Sequence, residues 1–340
     1  MSQSLAITVL MDAGCIPPAD PEFRVTSPLP SATEYHVVQT LRELGHRVSI
    51  VGVHERVDTI VAPLLERQPD LVFNLTECFR GNRRMDKNIA ALLELLDLPY
   101  TGTGPEGLML CRHKGLCKQL LSLHKIRVPG FATLEPGRPV RVAKSLRYPL
   151  VVKPAYEDGS VGISNLSLVR NEAGLEERVR MVHEHLNQPA VVEEYVDGRE
   201  LYVSLLGNKR LSVLPPRELF LGGEDGNGPL LATYHAKWDK KYQEKWNIRF
   251  GPAELDAAVM TRVARVCRKV YRVMQLQDYG RIDLRLTPEG RLAILEVNPN
   301  PDIAYGEEVA EAAEKSGLPY NKFIARILRT ALRRYPGRPR

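Results

Sequence analysis

Short apolar runs alternate with amphipathic stretches over the first hundred residues of the chain. The pattern predicts strands at 6–11, 48–53 and 71–75, and helices at 33–44, 58–67 and 86–96. A proline-rich stretch without periodicity follows the first strand and predicts a loop. Alternation of this kind is typical of a parallel sheet with helices on its faces.

The pattern after residue 105 is more varied. It predicts a helix at 112–124, strands at 146–154 and 190–196, and a helix carrying an apolar stripe from residue 255 to 273. A polar, glycine-rich stretch at 219–251 separates them. That stretch is too long for an ordinary connection and favours a functional lid or binding loop.

Polar and apolar positions alternate along residues 281–298, RIDLRLTPEGRLAILEVN. A proline and a glycine between two β-rich runs predict a hairpin with its turn at 287–290. If residue 287 pairs with 290, Arg281 lies opposite Glu296, whereas a three- or five-residue loop would break that parity. Because side chains alternate along strands, the following share one face: Arg281, Asp283, Glu296 and Asn298.

Two carboxylates and an amide placed side by side favour a neutralising cation. The oxygens of Asp283, Glu296 and Asn298 are hard ligands suited to Mg²⁺, which takes the rest of its shell from water and phosphates. Arg281 beside them would steady a phosphate or a developing oxyanion. The alternative interpretation is an exposed hairpin whose polar face simply meets water.

A second candidate site lies in the stretch YEDGSVGI, residues 156–163, directly after a predicted strand that carries Lys153. Glycines there let backbone N–H groups turn towards a phosphate, and Ser160 adds a hydroxyl donor. Lys114 and Lys153 would each bring a point charge to a polyphosphate. Taken alone, the glycine-rich stretch is also what an ordinary hairpin turn looks like.

Composition narrows the class of protein. The chain has 340 residues, a length that predicts two or three domains or subdomains. Its composition, with 44% hydrophobic and 26% charged positions, is typical of a globular protein. No apolar run is long enough for a membrane span, and the N-terminal segment lacks the basic region of a signal peptide. Five cysteines without a CxxC pair argue against disulfides and zinc and favour a cytoplasmic location.

The formal net charge of +6 suits an anionic ligand such as a nucleotide. Several of the positive charges lie in residues 326–340. A solvated helix end with a frayed terminus explains this tail better than a nucleic-acid patch, so neither nucleic acid nor a membrane is expected as a partner.

Several motifs occur in one order along the chain: Lys114, VVKP, DGSVG, EEYVDGRE, YHAKW, RID and LEVN. Together they resemble the ATP-grasp superfamily, and within it the D-alanine–D-alanine ligase branch, from about residue 71 onward. The resemblance implies an α/β ATP-grasp fold of three subdomains, 1–105, 106–192 and 193–340, with ATP between the central and C-terminal ones. It also suggests a homodimer.

The same resemblance implies a role for each matching residue. Lys114 and Lys153 would grip the ATP phosphates beneath the loop of Gly159 and Ser160, and Lys237 would reach the terminal phosphate. The adenine side would be lined by Glu193, Glu194 and Val196, with Glu200 on the ribose. Asp283, Glu296 and Asn298 would hold two Mg²⁺ ions, with Mn²⁺ as an alternative, and Arg281 would stabilise the tetrahedral oxyanion.

The reaction that the resemblance implies phosphorylates a carboxylate, whose acyl phosphate an amine then attacks to give an amide and ADP. Small-molecule carboxylates and amines are therefore the expected partners. Two other functions stay open: phosphate transfer to a hydroxyl on the same fold, and nucleotide binding without turnover. Arg281 beside the metal acids favours acyl chemistry, and the full set of lysines and metal ligands argues against binding without turnover.

Both substrate segments depart from the D-alanine ligase pattern. MDAGCIPPADPEFR replaces the family's Gly-Gly-x-Ser-x-Glu-Arg motif, and Met85 occupies the position of an acid. Gly159 replaces a serine, Trp238 replaces a tyrosine, and PNPDIAY follows Asn298 where the family has Thr-Leu-Pro-Gly. The ATP and metal machinery is thus predicted intact and the substrates altered, so a D-alanyl–D-alanine product is not expected.

Overall fold

The structure is a computed structural model that describes residues 4–16, 32–142, 144–221 and 231–337. For residues 32, 237 and 238 it describes the backbone alone. The strands form three sheets, and helices pack against them. This mixed α/β architecture is the class that the sequence predicts.

The first sheet is parallel, as the alternating pattern indicates. Its strands are β1 (Ala6–Asp12), β2 (Arg47–Val53) and β3 (Leu71–Asn74), in the order β2-β1-β3. The accompanying helices are α1 (Ala32–Glu43), α2 (Asp58–Arg67) and α3 (Asp86–Leu95). Predicted and observed bounds agree closely because these helices are amphipathic and bury one face.

Two helices, α4 (Pro105–Arg112) and α5 (Lys114–Leu123), lead into an antiparallel sheet. That sheet contains β4 (Phe131–Leu134), β5 (Leu150–Pro154), β6 (Leu168–Val169) and β7 (Ala190–Glu194), in the order β4-β7-β5-β6, with α6 (Glu172–Leu186) against it. The predicted strand at 146–154 begins only at Leu150, after the proline.

The third sheet is antiparallel and carries the hairpin. Its strands are β8 (Arg199–Leu206), β9 (Ser212–Val213), β10 (Arg217–Phe220), β11 (Arg249–Pro252), β12 (Tyr279–Leu286) and β13 (Leu292–Asn298). The order is β11-β10-β8-β12-β13, with β9 on β8. The remaining helices are α7 (Tyr234–Trp238), α8 (Lys240–Trp246), α9 (Ala257–Val273), α10 (Glu308–Lys315) and α11 (Tyr320–Leu332).

The polar stretch at 219–251 is not one long connection, because part of it forms regular secondary structure. Two helices, α7 and α8, and the strand β11 lie within its described part. A cluster of buried apolar side chains that includes Leu219, Ala236 and Ile248 holds these elements against Tyr202 of β8. Residues 222–230 lie outside the described part of the chain, and a lid function stays a prediction.

The hairpin has a different register from the predicted one. Leu286 pairs with Leu292, so the loop is longer by one residue and reverses the face of every following residue. A β-bulge at Leu295 then adds one more residue and restores the parity. Asp283 therefore lies opposite Glu296, and Arg281 lies opposite Asn298.

The C-terminal helices complete the core of the first sheet. Phe323, Ile324 and Ile327 of α11 are buried in one apolar cluster with Ile7 and Val9 of β1. Elements from the predicted units 1–105 and 193–340 thus share a core, and β7 runs across the predicted boundary at 192/193. The division into three subdomains stays a prediction.

The basic tail is not simply solvated, which corrects the sequence-based prediction for residues 326–340. Arg334, with its side chain 16% exposed, forms an ion pair with the fully buried Asp278 at 3.0 Å. It also donates to the carbonyl groups of Tyr100 and Gly102. Residues 338–340 lie outside the described part of the chain.

Two absences bear on the predicted class of protein. Within the described residues, no helix combines the length and apolarity needed to cross a membrane. All five cysteines are free thiols.

Candidate active site

One polar face of the β12–β13 hairpin brings the predicted metal ligands together. Arg281 donates to both carboxylate oxygens of Asp283, at 2.8 and 3.0 Å, and Asn298 donates to the same carboxylate at 3.1 Å. Glu308 at the start of α10 lies 3.6 Å from Arg281. Burial alone would lower the pKa of the Arg281 guanidinium, but Asp283 and Glu308 hold it well above its usual range.

Lys114 joins this face to the glycine-rich loop. The lysine begins α5, and its Nζ lies 2.5 Å from a carboxylate oxygen of Glu296 and 2.5 Å from the carbonyl oxygen of Glu157. Asp158 is 3.6 Å away. A residue that is 7% exposed can hold a positive charge here because these oxygens surround it.

Glu193 is held between two lysines in the interior. Its carboxylate lies 3.1 Å from Nζ of Lys153 and 3.3 Å from Nζ of Lys118, which also donates to the carbonyl of Leu295 at 2.8 Å. Burial by itself would raise the pKa of the Glu193 carboxyl, but the two ammonium groups hold it below its usual value.

Lys118 was not identified from the sequence. It follows Lys114 by four residues, so both lie on one face of α5, and that spacing was the available signal. The carbonyl that Lys118 contacts belongs to Leu295, the bulged residue without a cross-strand partner. The position of this lysine thus depends on the bulge, which the sequence did not reveal.

The glycine-rich loop adopts a left-handed backbone, with φ of +60° at Gly159 and +62° at Ser160. The Ser160 hydroxyl donates to the carbonyl of Ala232 at 2.6 Å, which ties the loop to the segment before α7. At Gly162, a Cβ atom would lie 2.8 Å from Pro154, so glycine is needed there for packing.

Glu193 and Glu194 point in opposite directions from β7, as alternation predicts. Glu194 is half-buried and accepts a hydrogen bond from the backbone N–H of Arg147 at 2.9 Å. Glu200, predicted on the ribose side, accepts from Arg285 at 2.7 Å and from the Tyr202 hydroxyl at 2.9 Å. Arg285 lies two residues after Asp283 on β12 and therefore faces the same side, a signal that the sequence analysis did not use.

A single cavity collects most of the predicted residues. Its lining includes Lys153, Ser160, Glu193, Glu194, Val196, Glu200, Asp283 and Glu296. Lys114, Arg281 and Asn298 adjoin it through their contacts with Glu296 and Asp283. Gly159 is exposed on the loop above, and the side chain of Lys237 lies outside the described residues.

Arg112 contacts the glycine-rich loop and, like Lys118, was not identified from the sequence. It contacts Asp86 at the start of α3 and Asp158 in the glycine-rich loop. Burial raises the pKa of the Asp86 carboxyl although Arg112 opposes the shift. Asp86 directly follows Met85 in the segment that departs from the ligase pattern.

The donor set on the hairpin fits a divalent cation. Asp283, Glu296 and Asn298 bring two carboxylates and one amide to one face, and each carboxylate already attracts a cationic side chain. Hard oxygen ligands of this kind suit Mg²⁺. No cluster of three or more histidine, cysteine, aspartate or glutamate side chains able to hold a metal occurs among the residues described.

Acidic side chains cluster beside the segment that follows Asn298. Burial, with the nearby charges of Glu77 and Asp302 adding to it, raises the pKa of Glu34 to about 7. Burial and the nearby charge of Glu308 raise the pKa of Glu307 to about 7 as well. The segment is held to α1 by a hydrogen bond from the Thr33 hydroxyl to Asp302 at 2.6 Å.

Comparisons with known proteins identify relatives over most of the chain. The family model "D-ala D-ala ligase C-terminus" matches residues 126–329. The chain is 35% identical over 306 residues to the uncharacterized protein y4sG of Sinorhizobium fredii, covering 88% of each. It is 30% identical over 307 residues to the D-alanine–D-alanine ligase of Gluconobacter oxydans, covering 87% of this chain and 92% of the relative.

Solved structures show the same fold. The D-alanine–D-alanine ligase from Bacillus anthracis complexed with ATP superposes with a TM-score of 0.75, covering 97% of this chain and 98% of the other, at 20% identity. The family model, the relatives and the fold together define an ATP-grasp, ligase-like protein. The chain belongs to the D-alanine–D-alanine ligase family, whose model covers more than half of it. That membership supports an ATP-dependent carboxylate–amine ligase.

Proposed function

We propose that the protein phosphorylates a carboxylate with ATP and Mg²⁺ and joins the resulting acyl group to an amine. The observation that carries this proposal is the pairing of Asp283 with Glu296 and of Arg281 with Asn298 on one face of the hairpin. Mg²⁺ held there would neutralise the terminal phosphates, and Mn²⁺ is the alternative ion. Two ions are proposed because the resemblance implies two.

Lys153 lines the cavity and Lys114 adjoins it, and both suit the phosphates. When ATP binds, Lys114 would exchange part of its contact with Glu296, and Lys153 part of its contact with Glu193, for contacts with the phosphates. The Gly159–Ser160 loop would cover the nucleotide, and Lys237 would contact the terminal phosphate. Glu193, Glu194 and Val196 would lie on the adenine side, and Glu200 on the ribose. These roles rest on the resemblance and on the shared cavity.

Arg281 is the proposed oxyanion stabiliser. Its guanidinium is rigidly held by Asp283 and stays positively charged at any working pH. A preorganised cation beside the metal ligands would stabilise the negative charge that develops when the amine attacks the acyl phosphate. This favours acyl transfer over phosphate transfer to a hydroxyl.

The substrates proposed here are an amino acid or another small carboxylic acid and an amine, and not a pair of D-alanines. The segment PNPDIAY, which contains Asp302, and the acidic side chains Glu34 and Glu307 beside it support an altered substrate pocket. The three-subdomain division, the homodimer and the cytoplasmic location remain parts of the same proposal.

The test measures phosphate release from ATP and Mg²⁺ with pooled amino acids and small carboxylates, with hydroxylamine added to trap an acyl phosphate. We expect release that requires a substrate pool, and a hydroxamate product. Glu296→Ala should lower kcat by about 100-fold or more because a metal ligand is lost. Glu289→Ala, on the exposed turn of the same hairpin, is the matched control and should leave turnover unchanged.

Phosphate release without hydroxamate, with a phosphorylated hydroxyl as product, would replace the ligase by the phosphotransferase. Tight ATP binding without turnover against every pool would indicate a nucleotide-binding protein without catalysis.

A further inference from the structure

A second concave site lies where β8 turns into β9, at one end of the third sheet, and it shares no lining residue with the candidate active site. One wall is the turn between β8 and β9, and the other is α11 with the turn that follows it. Six cationic side chains line it, and one of them, Arg334, is paired with Asp278. The other five are Lys209, Arg210, Arg326, Arg329 and Arg333. We call these five residues the basic groove.

The charges of the basic groove are not balanced by the protein. None of its lining residues is acidic, and within residues 4–16, 32–142, 144–221 and 231–337 none of the five forms an ion pair. Arg326 contacts the Ser212 hydroxyl, and Arg329 donates to the carbonyl of Ala325 at 3.3 Å.

The arrangement is more than a helix end with favourable charges. Arg326, Arg329 and Arg333 recur at intervals of three and four residues, so they lie along one face of α11. Cations near a helix C-terminus are stabilised by its dipole, which accounts for the last two of them. Lys209 and Arg210 come from the opposite wall and have no such explanation. The five positive charges of the basic groove repel one another, and a bound anion would relieve this repulsion.

We infer that the basic groove binds a small anion with several phosphate groups. Three arginine guanidinium groups offer paired N–H donors that match phosphate oxygens, and two exposed cations on the facing wall can close on the same ligand. A nucleic-acid strand is disfavoured because no aromatic side chain lines the groove to stack on its bases. This inference does not rest on the proposed ligase activity.

The experiment titrates the full chain with inorganic tripolyphosphate by calorimetry. The double variant Arg329→Glu/Arg333→Glu changes two exposed groove residues, and Lys315→Glu/Lys322→Glu makes the same charge change at exposed positions outside the groove. We expect the groove variant to weaken binding by about tenfold or more, since charge-assisted contacts are lost, and the control pair to change it by less than about twofold. A parallel titration uses the variant Lys114→Ala, which weakens tripolyphosphate binding in the active-site cavity. Binding to the basic groove should be retained in this variant.

Equal weakening by both charge-reversal pairs would mean that only the overall field matters, and the inference would be wrong. Unchanged binding in the groove variant would also overturn it. A short DNA duplex that displaces tripolyphosphate and loses affinity in the groove variant would assign the surface to nucleic acid instead.

Discussion

Glu193 shows how a buried charge organises its surroundings at the scale of one residue. Its side chain and that of Lys118 are each 2% exposed, and Lys153 completes the group. A carboxylate at such depth needs compensation, because an uncompensated buried charge costs several kcal/mol. The same three residues line or adjoin the proposed nucleotide cavity, so stability and function are coupled here.

Lys118→Ala should destabilise the protein by about 3 kcal/mol at pH 7, because Glu193 loses one of two buried cations. A depressed carboxyl pKa contributes stability above its ordinary value of 4.5, and that stability is lost as pH falls through the depressed value. The difference from wild type should therefore shrink below about pH 4. Urea unfolding of both proteins at pH 7 and below about pH 4 measures this difference in stability.

Lys322→Ala, on the exposed surface of α11, is the control and should change stability by no more than about 0.5 kcal/mol. A Lys118→Ala protein that unfolds at the wild-type urea midpoint at pH 7 would contradict the role given to this lysine.

At the scale of the element, the β12–β13 hairpin depends on two irregularities that cancel. The backbone N–H of Thr287 donates to the carbonyl of Arg291 at 2.9 Å and leaves a three-residue loop with Gly290 at φ +76°. The loop alone would turn Glu296 and Asn298 away from Asp283. The bulge at Leu295 returns them to the same face.

Gly290→Ala should destabilise the protein by about 1 kcal/mol, because an L-side chain is strained at this φ. No side chain crowds the position, since the nearest atom to a Cβ would be in Arg262 at 3.5 Å, so backbone strain is the whole effect. Gly290→Asn should cost less, as asparagine tolerates the left-handed region. The measurement is urea unfolding.

Gly14→Ala serves as the control, because Gly14 has open space around it and no positive φ. Equal stability of all three variants would indicate that the loop does not require this backbone conformation.

At the scale of the whole molecule, Arg334 connects parts of the chain that are far apart in sequence. It reaches the loop after Tyr100, the buried Asp278 before β12, and through that aspartate the N–H of Gly102 at 2.9 Å. Burial raises the pKa of the Asp278 carboxyl although Arg334 opposes the shift. The first and third sheets are thus joined by a buried ion pair as well as by the core around α11.

Arg334→Ala should lower stability by about 3 kcal/mol, because the buried Asp278 would lose the cation that stabilises its charged form. The neighbouring Arg333→Ala removes an exposed arginine and should have an effect within about 0.5 kcal/mol. Thermal or urea unfolding compares the two. Similar small losses would support the solvated tail that the sequence suggested.

Local patterns predicted the elements whose stability depends on one buried face. Helices such as Asp58–Arg67 and Asp86–Leu95 were placed within a residue or so because their apolar periodicity is strong. The short strand β9 has no such signal and was missed. Among candidate site residues, those in ordered motifs were found, whereas Arg112 and Lys118 act through partners distant in sequence and were not.

The sequence by itself determined the α/β class, the family and the set of carboxylate, amide and lysine side chains that form the candidate site, because these follow from residue types and local order. Only the tertiary structure decided the register of the hairpin, the burial of Glu193 between two lysines and the anchoring of Arg334. Each of these depends on a contact between segments far apart in the chain, and local periodicity carries no information about such contacts.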